Sequence, residues 1–447
     1  YHPVRMTIST HQLVCATLLL RCSCLLGDDL SELPGRNNSL EPHLQKFHDF
    51  IVQHGRSYRP GTEEYGQRLA LFRERVAAID THNHRPDRRW DAVVNHLADR
   101  TGEELRQLRG YRRRAPSEGP GAGPSGRLTA GFLSRTARAV DLSQLPADWS
   151  WRTRLHAMQD VRDQGTCGSC WAFASATVLR AHSELYQRDR TFSVQQMVSC
   201  TPNPQKCGGS GGCEGATAEL AMEYVSKMGL TTESEMRYGS ENGICPPAMH
   251  APRPTLRSLL RDHLKLSSAS ASFGMLGWRK LPENRVEPLL FAVYEQGPVA
   301  TSVMASDSWN AYGGGVLDTC ERDAVINHAV TLVGFGEQQG TQYWHIQNSW
   351  GPDWGEGGFI RLLRHDRDDE NAHCGWDRQP DLGTGCQGGP PSVYVCGSCG
   401  ILYDSVVPSF QLSRDGWLAR NAQQQLLHTQ LLQLRTVYVE NATSRWM

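Results

Sequence analysis

The distribution of cysteine constrains this chain more than any other feature of its sequence. The 447 residues include 14 cysteines, three in the first 24 residues and eleven between residues 167 and 399. Disulfide bonds consume cysteines in pairs and persist in oxidising compartments. Because eleven is an odd number, complete pairing in this region would leave one thiol that needs its own explanation.

The N-terminal segment predicts an oxidising compartment. From Met6 the chain reads MTISTHQLVCATLLLRCSCLLG, an apolar stretch with the character of a secretory signal peptide. We interpret residues 1–27 as that signal, the alternative being a buried helix. Glycosylation sequences begin at Asn37 and Asn441. We expect a protein of the secretory pathway, located in a lysosome or vacuole or outside the cell.

Charge and composition exclude several classes of protein. The formal net charge is -1 and 39% of the residues are hydrophobic. A neutral balance gives no electrostatic argument for nucleic acid or an anionic membrane surface as the partner. No stretch approaches the ~20 apolar residues that span a bilayer. We expect a globular protein that binds neither nucleic acid nor membrane and is a monomer.

Four segments follow the predicted signal. Residues 41–110 carry no cysteine and predict helices, and residues 111–140, rich in Arg, Pro, Gly and Ser, predict an exposed linker open to proteolysis. Residues 141–410 predict a compact unit, and residues 411–447 a C-terminal extension with a weak amphipathic helix. In the first segment, apolar side chains recur at helical spacing: Leu69, Phe72, Val76 and Ile79.

The segment QGTCGSCWAFA, which starts at Gln164, carries the chemistry. Its glycines and serine precede good helix-forming residues, so Cys170 is expected at a helix N-terminus. The unpaired N–H groups and dipole there favour a thiolate, the form of cysteine that attacks a carbonyl carbon. The alternative is that Cys170 is half of a disulfide bond.

Three motifs resemble the papain-like cysteine proteases. CGSCW at Cys170 matches the family signature C-G-[SA]-C-[WY]. NHAV contains His328, QNSWGPDWG contains Asn348, and both words are similar to the family's histidine and asparagine motifs. These residues follow the cysteine by 158 and 178 positions, more than the family's roughly 130–150. We attribute the excess to a surface insertion at residues 246–280.

The resemblance implies a role for each matched residue. Cys170 is the nucleophile, His328 protonates the leaving amine, and Asn348 orients the imidazole. Gln164 supplies the side-chain donor of the oxyanion hole, and Trp350 covers the Asn–His pair against water and borders the substrate. No cofactor and no metal are implied.

The resemblance also implies the fold. We expect an α+β papain-like fold with a helical domain, a β-barrel-like domain and the site between them, preceded by a helical inhibitory propeptide. The chain would be a cysteine endopeptidase zymogen acting on proteins or peptides, with its own propeptide as intramolecular inhibitor. Activation cleavage is expected between Arg114 and Leu145. The alternative is a catalytically silent papain-fold binding protein.

The segment before the linker is similar to cathepsin L-like propeptides. Arg75 replaces the family's Asn in the first propeptide motif, and Val93 and Leu97 replace Gly and Phe in the second. The remaining matched positions are Glu64, Arg68, Phe72, Ile79, Asn83, Asn95 and Asp99.

With Cys170 reserved as nucleophile, ten cysteines remain in the predicted peptidase domain. The resemblance implies the bonds Cys167–Cys213 and Cys200–Cys245. Cys320 has two candidate partners, Cys374 and Cys399. We favour Cys399, since CGILYDSVVP matches the family's terminal strand without a gap. The pairing of the other four stays open: Cys207, Cys374, Cys386 and Cys396.

A zinc site is the alternative for some of these cysteines. Cys386, Cys396, Cys399 and His373 are ligand types for zinc. Their spacing is not that of a recurrent zinc ribbon, and an oxidising compartment favours disulfides. We therefore expect disulfides.

The expected substrate cleft departs from the family pattern. Gly215 is retained in the glycine wall that pairs with the peptide, but Ala216 replaces the second glycine. The resemblance assigns the specificity pocket to Ala218, Ser302, Ile326 and Asp404. We hypothesise that Asp404, at the pocket floor, accepts a basic side chain as well as an apolar one. The alternative is that Asp404 points to solvent.

Overall fold

The computed structural model describes residues 41–110, 145–249 and 275–410. The predicted signal peptide, the linker with its cleavage region, most of the predicted insertion, the C-terminal extension and both glycosylation sequences lie outside the described residues. Helix α1 (Glu41–Gln53) belongs to one compact unit, which ends at Ser57, and the chain from Tyr58 onward forms a second unit.

Three short elements make up the rest of the predicted propeptide. They are α2 (Glu63–Asn83), β1 (Trp90–Ala92) and α3 (Gly102–Leu108). Each helix begins at a threonine whose side chain accepts a backbone N–H, and in α3 a glutamate completes a capping box. The apolar spacing identifies most of the buried face of α2. Leu69, which the spacing places on that face, is only half-buried, and Tyr65, which the spacing does not include, is buried.

Three helices form the helical half of the peptidase region. They are α4 (Cys170–Tyr186), α5 (Val194–Cys200) and α6 (Ala218–Met228). Most of α4 is buried, and it packs on both other helices and on the neighbouring sheet. A helix that is apolar on several faces requires such neighbours, and this central burial fixes the position of its first residue, Cys170.

The described residues contain one nine-stranded, mostly antiparallel sheet. Besides β1, its strands are β2 (Trp149–Ser150), β3 (Met275–Lys280), β4 (Val299–Val303), β5 (Tyr312–Leu317), β6 (His328–Gln338), β7 (Thr341–Gln347), β8 (Phe359–Leu363) and β11 (Asp404–Phe410). Their order across the sheet is β1-β5-β8-β7-β6-β4-β11-β3, with β2 paired to β6.

This sheet corrects the expectation of a barrel. Its end strands β1 and β3 each pair with one neighbour among the described residues, so the sheet stays open. The propeptide strand β1 extends the sheet at one end by pairing antiparallel with β5. The mixture of helices and sheet is the α+β class that the resemblance implies.

The smaller elements lie around the sheet. Helices α7 (Val286–Phe291), α8 (Asp307–Asn310) and α9 (Arg367–Ala372) are short. Strands β9 (Cys374–Asp377) and β10 (Val393–Cys396) form a separate two-stranded sheet. No helix within the described ranges has both the length and the apolar character needed to cross a membrane.

Five disulfide bonds connect these elements. Two of them have the partners that the resemblance implies in the helical half, and Cys320 bonds Cys399 rather than Cys374. The full set is Cys167–Cys213, Cys200–Cys245, Cys207–Cys386, Cys320–Cys399 and Cys374–Cys396. All three sulfurs of the zinc alternative are therefore bonded to other sulfurs.

Candidate active site

The candidate nucleophile stands at the start of a buried helix. Cys170 is the first residue of α4, after the N-cap Ser169, and its side chain is fully buried. It is the only cysteine of the described residues outside a disulfide, so the alternative of a disulfide half is wrong. The backbone N–H of Ala329 donates to its Sγ at 3.5 Å.

Two paired strands bring the candidate base and its orienting residue together. His328 begins β6, Asn348 directly follows β7, and Thr331 of β6 pairs with Gln347 of β7. The Nε2 of His328 lies 2.8 Å from the Oδ1 of Asn348. Since that oxygen also accepts the N–H of Ser349 at 2.8 Å, it is an acceptor, and Nε2 carries the proton.

An indole ring covers this pair. The ring centroids of His328 and Trp350 are 4.9 Å apart, and Trp350 packs in turn edge-on against Trp354. Both tryptophans are almost fully buried. The His–Asn hydrogen bond therefore lies in an apolar environment, where such a bond is stronger than in water.

The amide of Gln164 is fixed next to the thiol. Its Oε1 accepts the hydroxyl of Ser349 at 2.6 Å, and its Nε2 donates to the carbonyl oxygens of Leu108 and Cys167 at 2.8 and 2.9 Å. This amide presents its N–H groups to a carbonyl in the cleft, which is what an oxyanion donor requires. In this structure a propeptide carbonyl accepts one of them.

The propeptide backbone occupies the site. The Cys170 thiol donates to the carbonyl oxygen of Arg109 at 3.2 Å. A Cβ placed on Gly110 would lie 2.4 Å from Sγ, and one placed on Gly215 would lie 1.8 Å from the Gly110 oxygen. Sequence reasoning missed this contact of Leu108–Gly110 with the thiol, because its motifs end at Asp99 and the segment carries no signature of its own.

Burial suppresses the charges expected at the site. Desolvation raises the pKa of the Cys170 thiol to about 12, and it lowers the pKa of His328 to about 4, although the hydrogen bond that His328 donates to Asn348 opposes the second shift. The closed form thus holds a neutral thiol and a neutral imidazole instead of an ion pair. Both shifts arise because solvent is excluded from the cleft that the propeptide fills.

Two of the four predicted pocket residues are in contact. Ala218 begins α6, and the paired strands β4 and β11 place Ser302 opposite Asp404. The Ser302 hydroxyl donates to Asp404 Oδ2 at 2.7 Å, and only 3% of Asp404 is exposed. The solvent-facing alternative for Asp404 is therefore wrong.

A lysine that sequence reasoning missed lies at the pocket floor. The Nζ of Lys280 is 3.2 Å from Asp404 and 3.5 Å from Glu219. Burial opposes ionisation of Asp404, but the charge of Lys280 and the hydrogen bonds from Glu219 and Ser302 together outweigh it and lower the pKa of that carboxyl. Burial and the nearby Asp404 raise the pKa of Glu219 to about 7. The Lys280 ammonium thus already pairs with Asp404, the carboxylate expected to bind a basic substrate side chain.

The other cleft residues are held by backbone packing. Ala216 is fully buried, and Gly215 has a positive φ of 92°, a conformation that favours glycine. The side chain of Ile326 packs with Ala324 and Val395 in a small apolar cluster. The backbone at Gly215 lies so close to the propeptide that an added Cβ would overlap the Gly110 oxygen.

Comparison with known proteins identifies the family. Residues 145–384 match the family described as papain family cysteine protease, and residues 47–105 match the cathepsin propeptide inhibitor domain. The chain belongs to the papain family of cysteine proteases and carries that family's inhibitory propeptide. It is a cysteine endopeptidase made as a zymogen.

Individual relatives cover most of the chain. It is 30% identical over 372 residues to a senescence-specific cysteine protease, SAG39, of Oryza sativa subsp. japonica, an alignment covering 82% of this chain and 97% of that protein. It is 32% identical over 366 residues to cathepsin J of Rattus norvegicus, covering 79% and 95%.

Solved proenzymes have a similar fold. Digestive procathepsin L 3 of Tenebrio molitor larval midgut matches with a TM-score of 0.59 and 25% identity, over 82% of this chain and 99% of that chain. The recombinant stem bromelain precursor matches with a TM-score of 0.58 and 25% identity, over 83% and 99%. Both are similar to this chain through propeptide and peptidase together.

Proposed function

We propose that Cys170, His328, Asn348 and Gln164 are the catalytic residues of this endopeptidase. The observation that carries the proposal is a free thiol at a helix N-terminus, next to a histidine whose Nε2 is bonded to an asparagine oxygen at 2.8 Å. The backbone N–H of Ala329, the residue after that histidine, donates to the Cys170 sulfur at 3.5 Å. The histidine therefore lies close to the sulfur with which it would exchange a proton.

The reaction is acyl transfer in two steps. The Cys170 sulfur attacks the peptide carbonyl carbon, and Gln164 with the N–H of Cys170 stabilises the negative oxygen that forms. His328 gives its proton to the leaving amine as the C–N bond breaks. Water, deprotonated by the same imidazole, then hydrolyses the thioester and restores the thiol. Asn348 holds the ring throughout.

Propeptide removal is the activating step. While Leu108–Gly110 fill the cleft, the thiol and the imidazole are buried and neutral. Release readmits water, which lowers the desolvation cost and favours the thiolate–imidazolium pair. We assign residues 1–27 to a signal, 41–110 to the propeptide, 111–140 to the cleaved linker, 141–410 to the peptidase and 411–447 to an extension.

Covalent labelling tests the assignment. After acid activation, an epoxysuccinyl inhibitor should add to Cys170, and Cys170→Ala should abolish both the label and peptide hydrolysis. His328→Ala should lower kcat by at least ~1000-fold, whereas His156→Ala, at an exposed histidine, should change it less than twofold. A protein that folds but neither labels nor hydrolyses would instead be the silent binding protein.

The pocket assignment has its own test. We propose that Lys280 competes with a basic substrate side chain for Asp404, so the native pocket favours an apolar residue. Lys280→Met should raise kcat/KM for Arg relative to Phe, at the position next to the cleaved residue, at least fivefold. Lys280→Arg keeps the cation and should not. Adding Asp404→Ala to Lys280→Met should remove the gain; equal losses for both substrates would refute the assignment.

We propose a monomer of the secretory pathway, located in a lysosome or vacuole or outside the cell. Five disulfides within the described residues fit an oxidising compartment. All four proposed catalytic residues come from one chain, so no second copy is needed. Gel filtration with and without residues 411–447 tests the oligomeric state, and a dimer lost on truncation would assign assembly to the extension.

A further inference from the structure

A segment between β9 and β10 crosses the cleft; we call residues 377–387 the strap. On the side of the cleft that carries His328, the strap holds the backbone of Ile326 at two points. The N–H of Ile326 donates to Asp377 Oδ2 at 3.1 Å, and the N–H of Thr384 donates to the Ile326 carbonyl at 3.1 Å.

The strap is attached equally firmly to the opposite wall. The N–H of Gly208 donates to the carbonyl of Gly385 at 3.0 Å, and Cys386 bonds Cys207. The N–H of Gln387 also donates to a backbone carbonyl of that wall, at 2.9 Å. Because Thr384 and Gly385 are consecutive, two adjacent residues connect the two walls.

The crossing point lies close to the thiol. A Cβ on Gly215 would be 1.8 Å from the Gly110 oxygen and 2.1 Å from the Gly208 oxygen, so these two oxygens are neighbours. Gly110 itself packs against Cys170 Sγ. Contacts therefore run without a break from Sγ through Gly110 and Gly208 to Gly385. This path consists of three successive contacts, and an extended substrate residue covers about 3.3 Å, so the path corresponds to roughly two or three substrate residues.

Internal packing fixes the shape of the strap. The carbonyl of Pro380 accepts the N–H groups of Gly383 and Gly385 at 3.0 and 2.8 Å. A Cβ on Gly383 would lie 2.1 Å from the Ile326 carbonyl oxygen, and one on Gly385 would lie 2.5 Å from that of Pro380. The strap is thus a closely packed turn with a covalent anchor, and not a loop free to swing aside.

The strap borders the substrate positions that the family resemblance assigns to the Gly215 wall and the Ile326 pocket. We assign these positions to residues N-terminal to the cleaved bond, the acyl side. The strap joins the backbone of Ile326 to the loop that packs against Gly215. A substrate extending past the pocket in the N-terminal direction would meet the strap.

We propose that the strap limits substrates to about three residues on the acyl side, so that the enzyme preferentially cuts bonds close to the free N-terminus of a peptide. The proposal rests on the proposed function of the same site. It deepens that function by naming the substrate class: chains with an accessible N-terminal end, in which the endopeptidase cuts an internal bond near that end.

A length series tests the limit. Peptides with one to six residues before a fluorogenic amide, identical next to the cleaved bond, are hydrolysed by the full chain after acid activation. We expect kcat/KM to fall at least tenfold once more than three residues precede the bond. A Cys207→Ser/Cys386→Ser variant should recover at least tenfold on the six-residue peptide and change less than twofold on the two-residue peptide.

The matched control removes a disulfide whose two cysteines lie outside the strap. Cys200→Ser/Cys245→Ser makes the same two substitutions in the helical half and should leave the length dependence unchanged. Equal hydrolysis of all lengths by the native enzyme would overturn the proposal, even if the strap variant failed to fold. Absence of hydrolysis at every length, with no labelling of Cys170, would overturn the proposed function instead.

Discussion

Gly110 packs against the thiol, next to Arg109, whose carbonyl oxygen accepts the hydrogen bond of the thiol. Its φ of 75° lies in the left-handed region, which costs a non-glycine residue energy. A Cβ there would also meet Cys170 Sγ at 2.4 Å and the Gly168 carbonyl oxygen at 3.0 Å. Both conflicts are with buried, fixed groups, so a side chain must push the propeptide backbone out of the cleft.

We therefore expect Gly110→Ala to loosen inhibition. Because burial holds the pKa of Cys170 at about 12 in the closed form, the native proenzyme should react slowly with iodoacetamide at pH 7. The variant, with its thiol solvated, should react at least tenfold faster. Gly66→Ala, where no atom lies within 4 Å of the added Cβ, should react at the native rate. An unchanged rate in Gly110→Ala would contradict the steric argument.

The residues within sequence motifs could be predicted individually, but the residues outside the motifs that contact them could not. Cys170, His328 and Asn348 lie in recognisable sequence motifs. Lys280 carries no motif and reaches Asp404 only because β3 pairs with β11. Sequence reasoning therefore assigned a free carboxylate to the pocket floor, where the fold supplies an ion pair.

At the scale of elements, one ion pair joins two propeptide helices. Arg68 of α2 donates to Glu104 of α3 at 3.0 Å and to the carbonyl of Asp99 at 3.1 Å. Burial opposes the charge of Glu104, but hydrogen bonds from Arg68 and Thr101 outweigh it and lower its pKa to about 2. Glu104 also caps α3, so its charge stabilises both helix and packing.

The lowered pKa of Glu104 favours activation at acid pH. A carboxyl whose folded pKa is lowered contributes stability above its unfolded pKa of about 4.5, and that contribution is lost as pH falls toward 2. Glu104→Gln removes the charge at every pH and should accelerate self-processing at pH 6 at least threefold, measured by gel electrophoresis. Glu103→Gln, at the exposed neighbour, should process at the native rate. Equal rates for both variants would exclude this role.

Local patterns predicted the helices better than the connections between elements. The helix α2 follows from apolar spacing, and the start of α4 follows from the glycines and the serine before Cys170, and both patterns are local in sequence. The open sheet and the strap depend on contacts between distant residues, such as Cys207 with Cys386. The cysteine count required such bonds but left their partners undetermined.

At the scale of the molecule, a buried histidine links the two halves. His182 of α4 bonds the carbonyl of Pro298, which leads into β4, at 2.9 Å. Burial lowers the pKa of His182 to about 4. In the unfolded chain this histidine has an ordinary pKa of about 6.5. Between pH 6.5 and pH 4, His182 therefore binds a proton in the unfolded chain but not in the folded chain. Stability conferred by this group is complete above pH 6.5 and declines as pH falls to 4.

We expect His182→Gln, which retains a donor but does not titrate, to flatten this decline. The contribution is on the order of 1–3 kcal/mol between pH 7 and pH 4. Urea unfolding of the full chain at both pH values, in a Cys170→Ala background that prevents self-cleavage, measures it. His156→Gln, at an exposed ring, should retain the native slope. A native slope in His182→Gln would place the acid sensitivity elsewhere.

Strand β1 leaves with the propeptide, and its departure uncovers the polar backbone of β5 along one border. Its partners there are Gly315, Gly314 and Tyr312. An uncovered border is a template on which another molecule can add a strand and start aggregation. Three consecutive glycines, Gly313–Gly315, make it a poor template, because glycine is depleted in strands. The same glycines thus disfavour the addition of a foreign strand to the newly released enzyme.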